Sequence, residues 1–188
     1  MTLANTRNLW RFTAAICKSP TNLAQAFPHG GTALGIIGDF VFTSEPNNVE
    51  VQAEEYGGVT VDYVRGAEKA VITGVLRTWD DDAISAIFPN TATGSGSNRQ
   101  LIKSQVAGAG MTKPGKLASA GSFPLLISSD APDHNPSLLL YNAIPLIDTQ
   151  MRLSSSPAVE AGMAIAFHAA PDDEGKMYHM GLLEDMSL

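Results

Sequence analysis

The stretch from Val59 to Pro89, VTVDYVRGAEKAVITGVLRTWDDDAISAIFP, limits the possible folds more than any other. Val59, Val61 and Tyr63 alternate with Thr60 and Asp62, the period-2 pattern of a half-buried strand. Arg65-Gly66-Ala67-Glu68-Lys69 predicts a turn in which Gly66 takes positive φ. Val71 to Trp79, rich in β-branched and aromatic residues, then predicts the return strand of a hairpin. Asp80 is placed to cap a short helix, with Asp81 and Asp82 on the positive end of its dipole. Ile84, Ile87 and Phe88 share one face of that helix, and Pro89 ends it. The stretch therefore reads as a hairpin feeding one helix packed on a sheet. It carries no catalytic constellation.

The flanking chain extends the β pattern. Ser19-Pro20 predicts a helix start with Leu23, Ala26 and Phe27 on its apolar face, stopped by Pro28 and the turn His29-Gly30-Gly31. Residues 34–43 predict a strand, and their glycines lack the Lys-Ser/Thr of a phosphate loop and the spacing of a dinucleotide fingerprint. Glu45-Pro46-Asn47-Asn48 reads as a turn, Val49 to Glu54 as an alternating strand, and Tyr56-Gly57-Gly58 as another turn. Further on, 123–128 and 137–147 are strands about an Asp130–Asp133 turn, with Pro145 at an edge, a bulge or a strand start. Met151 to Leu153 extends the pairing. The last segment predicts a closing hairpin: a strand over 161–168, the turn Pro171–Gly175 and a return over 176–183. About eight strands at short spacing with one or two short helices predict a mostly β, antiparallel fold, as a β-sandwich or a barrel-like pair of sheets.

A chain of 188 residues is most simply one domain with a real core. Charged residues make up 16%, against roughly 25% in typical soluble domains. A surface so sparsely charged points to cover by other subunits, with a low-charge monomer rich in Ser, Thr, Asn and Gly as the alternative. The net charge of −7 argues against passive nucleic-acid binding, which needs clustered Lys and Arg. The single Cys17 excludes an intrachain disulfide and a cysteine-based zinc cluster, and is read as a small buried apolar residue. The N-terminal residues show no secretory signal pattern, and no run approaches the ~18 apolar residues of a membrane span. The expectation is a soluble protein made in the cytoplasm, with no membrane partner.

Charge is unevenly placed. From Ala83 to Ser129 there is no Asp or Glu, while Arg99, Lys103, Lys113 and Lys116 are basic. That region is +4, leaving −11 for the rest, from 8 basic and 19 acidic residues. Residues 90–122 are rich in small residues with weak periodicity, so a long flexible arm is expected there. A cationic arm on an acidic body suits a subunit that grips its neighbour, with Arg99, Lys103, Lys113 and Lys116 as the contact residues. A solvated loop with incidental charge is the alternative.

Catalytic chemistry is missing from the sequence. His168 and His179 are placed to face each other across the closing hairpin near Asp172 and Asp173, but two histidines at ordinary spacing make a weak metal motif. Capping accounts for Asp80 to Asp82, and a turn for Ser154-Ser155-Ser156. Trp10 and Trp79 read as core or interface anchors. No enzyme, no metal and no cofactor is expected.

The order of PTNLAQAFPHGGTALG, DFVFTSEPNNVEV, VTVDYVRGAEKAVITGVL, TWDDDAISAIFPN and AIAFHAAPDDEGKMYHMGLL resembles the tail tube (major tail) proteins of tailed bacteriophages over most of the chain. The resemblance implies a β-sandwich or barrel with a flanking helix, hexameric rings, and rings stacked into a tube that conducts phage DNA. It implies as partners other copies of the chain and further tail proteins: tape measure, terminator, baseplate and possibly sheath. A carboxylate-lined channel would let DNA slide without sticking. Related virion ring proteins (tail terminator, neck or baseplate components) share the layout. A monomeric β-sandwich ligand-binding module and a small β hydrolase are the other classes, the first short of aromatics and the second of a nucleophile with its base.

Overall fold

The computed structural model describes residues 14–35, 37–77, 84, 91–93, 101–103, 117–129, 135–146, 151–152 and 162–188. The expected helix start at Asp80 to Asp82, together with Trp79 and Pro89, lies outside them, as do the turns at 130–133 and 154–157. Ile84 alone represents the expected helix, in helical conformation and fully buried in the main core.

The described residues are mostly antiparallel β. They comprise β1 (Ala14–Lys18), β2 (Thr32–Ala33), β3 (Ile37–Ala53), β4 (Val59–Leu76), β5 (Thr91–Thr93), β6 (Leu101–Lys103), β7 (Phe123–Ser129), β8 (Ser137–Pro145), β9 (Met151–Arg152), β10 (Gly162–Ala170) and β11 (Tyr178–Gly181). Nine of these form one ladder in the order β2-β1-β7-β8-β10-β4-β3, with β11 on β8 and β9 on β10, while β5 and β6 pair separately. The two edges, β2 and β3, are joined only by residues 34–36. Four chain steps of at most ~3.6 Å keep Ala33 and Ile37 within about 14 Å. The ladder therefore curls until its edges approach, although they do not hydrogen-bond to each other.

Curling puts one face inside. Ile16, Ile72, Leu76, Leu125, Ile127, Leu140, Ile165 and Phe167 form the main core, with Phe123 meeting Phe167 edge-on at 6.2 Å. The opposite face of β1, β7 and β8 is also covered. There Cys17, Leu126 and Leu139 pack against Leu183 and Met186 of the C-terminal segment. Because both faces are covered, β7 and β8 read as apolar runs rather than alternating ones. Cys17 is fully buried and its thiol donates to the Pro28 carbonyl at 2.8 Å, as a small core residue does.

Four expectations from the sequence are overturned. The turn predicted at Arg65–Lys69 is absent: β4 runs unbroken from Val59 to Leu76. The turn at Glu45–Asn48 is likewise absent, because Pro46 and Asn47 sit inside β3. Both former turns meet at a bulge, where Asn47 opposes Gly66 and Ala67. A Cβ on Gly66 would lie 2.5 Å from the Asn47 carbonyl oxygen, so glycine serves close approach there and not a reversal. The true reversal is the 3-10 turn Glu54–Tyr56 followed by Gly57 and Gly58, at φ +74° and +81°.

The predicted helix after Ser19-Pro20 is the third. Ser19 has φ +50°, and the Thr21 and Asn22 amides both donate to the His29 carbonyl at 3.0 Å. The segment closes into a loop instead. The closing hairpin is the fourth. β10 and β11 do not pair with each other but lie end to end along β8, Ala170 opposite Asn142 and Tyr178 opposite Leu140. The intervening Pro171–Met177 bulges out, held by Glu174 and Lys176 amides donating to Asp172 Oδ1 at 2.9 and 2.7 Å.

Candidate assembly surface

Beyond Ser44 and Ala70 the β3–β4 pair leaves the sheet. β10 lies along β4 only from Val71 to Leu76, so further out the two strands have no third partner among the described residues. The ten steps from Thr43 to Ala53 give a ribbon roughly 33 Å long. Both faces of it meet solvent.

The register divides those faces by chemistry. Val49 opposes Val64, Val51 opposes Asp62, and Ala53 opposes Val59. Paired residues in a ladder share a face, and Val61, two residues from Val59, lies on the same side. The extra residue in β4 between the Val51–Asp62 and Gln52–Thr60 pairs keeps these valines together. One face thus carries Val49, Val51, Val59, Val61 and Val64, between 38% and 58% exposed, with Asp62 among them opposite Val51. The other carries Asn48, Glu50, Gln52, Thr60, Tyr63 and Arg65, with Thr60 and Gln52 both donating to Glu50. The half-buried strand expected at Val59–Tyr63 is therefore a strand, but an exposed one.

The valine face is continuous with the outer surface of the sheet, where Val41 is 56% exposed. From Glu45 to Lys69 the ribbon holds six carboxylates against Arg65 and Lys69, a net −4. Its base is tied to the body. Glu68 accepts hydrogen bonds from the hydroxyls of Ser44 and Tyr178, the latter at 2.8 Å. These two donors, Ser44 first, hold the Glu68 carboxyl below its ordinary range. Phe42 meets Tyr178 edge-on at 5.1 Å behind them.

Of the basic contact residues expected from sequence, Lys103 falls in β6 opposite Thr91. Arg99, Lys113 and Lys116 lie outside the described residues. His168 and His179 do not face each other: they stand opposite Ile144 and Leu139, five residues apart along β8. Desolvation, and then the charge of Lys69, hold His168 below its ordinary pKa. Among the described residues no group of three His, Cys, Asp or Glu side chains is gathered to hold a metal ion. None of their helices is long and apolar enough to cross a membrane.

The valine face itself was missed in the sequence. Its signal was present as valines at 49, 51, 59, 61 and 64, on both sides of Gly57-Gly58. The sequence matches no protein-family model, and a search of curated proteins finds no match either.

Proposed function

We propose that this chain is a non-catalytic structural subunit of a phage tail tube, which joins other copies into hexameric rings that stack around a channel for DNA. One observation carries the reading: a ribbon some 33 Å long presents five valines on one face and no core of its own. A lone two-stranded ribbon is marginal in water. Covering its half-exposed valines on a neighbour is worth roughly 1 kcal/mol per side chain. The sparse charge, the acidic ribbon and the acid-free basic segment around Arg99, Lys103, Lys113 and Lys116 make one copy complementary to the next. A net charge of −7 suits a conduit through which DNA passes without adhering. The curled ladder suits the barrel-like body such a subunit has.

The same features serve a terminator, neck or baseplate ring. They fit a monomeric carbohydrate-binding module less well: Phe27 and Tyr63, exposed aromatics, stand on separate elements and form no common platform.

Negative-stain microscopy and light scattering of the purified chain test the reading. Rings or tubes are expected, and Val49→Asp with Val64→Asp should reduce them to monomers of unchanged thermal stability. In the otherwise natural chain, reversing the charge at Arg99, Lys103, Lys113 and Lys116 should weaken assembly. A strictly monomeric wild-type protein at high concentration overturns the proposal.

A further inference from the structure

A groove of about 970 Å³ opens on the outer face of β1 and β7. Its walls are the 21–29 loop and the C-terminal segment, with Leu23, Ala26, Phe27, Leu183 and Met186 giving it an apolar lining. Phe27 remains 42% exposed there, and Leu188 at the rim 52%. His29 also lines the groove and is 4% exposed. Its Nδ1–H donates to the Gln25 carbonyl at 2.7 Å, so in the neutral ring Nε2 is an acceptor. That atom is buried with no hydrogen-bond partner among the described residues. An apolar trough of this size, with Phe27 and Leu188 exposed along it, is a surface that suits a covering segment.

We infer that the groove seats the chain's own N-terminal segment, residues 1–13. Ala15, the second residue of β1, lines the groove, and Ala14 stands opposite Ser129, another lining residue. The preceding chain therefore enters the body at the mouth of the groove. Thirteen residues reach up to ~45 Å when extended, far more than the groove requires. MTLANTRNLWRFT supplies matching chemistry, with Leu9, Trp10 and Phe12 as apolar anchors for that lining. Arg7 and Arg11 give it a net charge of +2, opposite to that of Glu184 in the wall. The inference stands apart from the tail-tube reading.

Trp79→Phe makes Trp10 the only indole of the full-length chain. Acrylamide should then quench Trp10 several-fold less than it quenches a synthetic peptide of residues 1–13. Adding Ala24→Arg, at an exposed wall position, should return quenching to the peptide's level while the melting temperature stays put. If Trp79→Phe does not fold, hydrogen exchange on the natural chain answers instead. Trp10→Ala with Phe12→Ala should speed exchange of the amides at 22–27 and 183–188 several-fold, and nowhere else. Peptide-like quenching of Trp10, protection that survives Ala24→Arg, or unchanged exchange each overturns the inference. Protection lost on dilution also overturns it, assigning the groove to a second copy's segment.

Discussion

Strands β7 and β8 and the outer halves of β3 and β4 are all regular antiparallel strands, yet most side chains of the first pair are buried and none of those described on the second is. Leu139 and Val64 both lie on antiparallel strands. Leu139 has the C-terminal segment over its face, while Val64 has water. The difference lies in what the chain lays over each strand, and it divides the molecule into a body stabilised by its own packing and a ribbon that contributes little to it.

That division is most easily broken in the core. Phe167 is fully buried between Phe123 and Ile72, and Phe167→Ala should cost about 3–5 kcal/mol in urea unfolding. Val64→Ser on the ribbon should cost less than ~0.5 kcal/mol under conditions where the chain is monomeric. A comparable loss from both would mean that the ribbon folds back onto the body in solution.

The body was more legible in the sequence than the ribbon was. FPLLISS and SLLLYNAIP declare buried strands by composition alone, and Cys17 declares a small buried residue. The ribbon misled because Gly66 and Pro46-Asn47, ordinary turn signals, were absorbed by one bulge in which they face each other. Local propensity ranks a Gly-containing polar stretch as a turn; only the partner strand, some twenty residues away, shows that a bulge serves as well. The final segment misled for the opposite reason. Pro171 to Gly175 does turn, but β8 offers its edge on both sides of the turn and captures both strands. The placement of the valine face depended on a register that no local pattern states.

Titration separates the two regions next. Burial pushes the Cys17 thiol from 9.0 up to about 11. Between those values the unfolded thiol ionises and the folded one does not, so the body loses stability as pH rises through that window. Thermal melts between pH 8 and pH 11 should show this decline in the natural chain and less of it in Cys17→Ala. Thiol reagents should label Cys17 only as the body unfolds.

The smallest effect belongs to the ribbon's base and is the most local. Glu68 is solvent-exposed, yet the Ser44 and Tyr178 hydroxyls hold its carboxyl below the usual 4.5. A carboxylate held low contributes above its unfolded pKa and loses that contribution as pH falls through the folded one. Acidification should therefore loosen the junction of β3, β4 and β11 while the core of Phe167 and Leu139 stays intact. Hydrogen exchange at Ser44, Ala70 and Tyr178 would register this as faster opening below pH 4.5. Glu68→Gln should show that opening already at pH 7, with Tyr178→Phe giving a weaker version. Because the carboxylate is exposed, global stability should barely move in either variant. If Glu68→Gln instead lowered the melting temperature as much as a core truncation does, the junction would belong to the body, and the ribbon would begin further out, beyond the Asn47–Gly66 bulge.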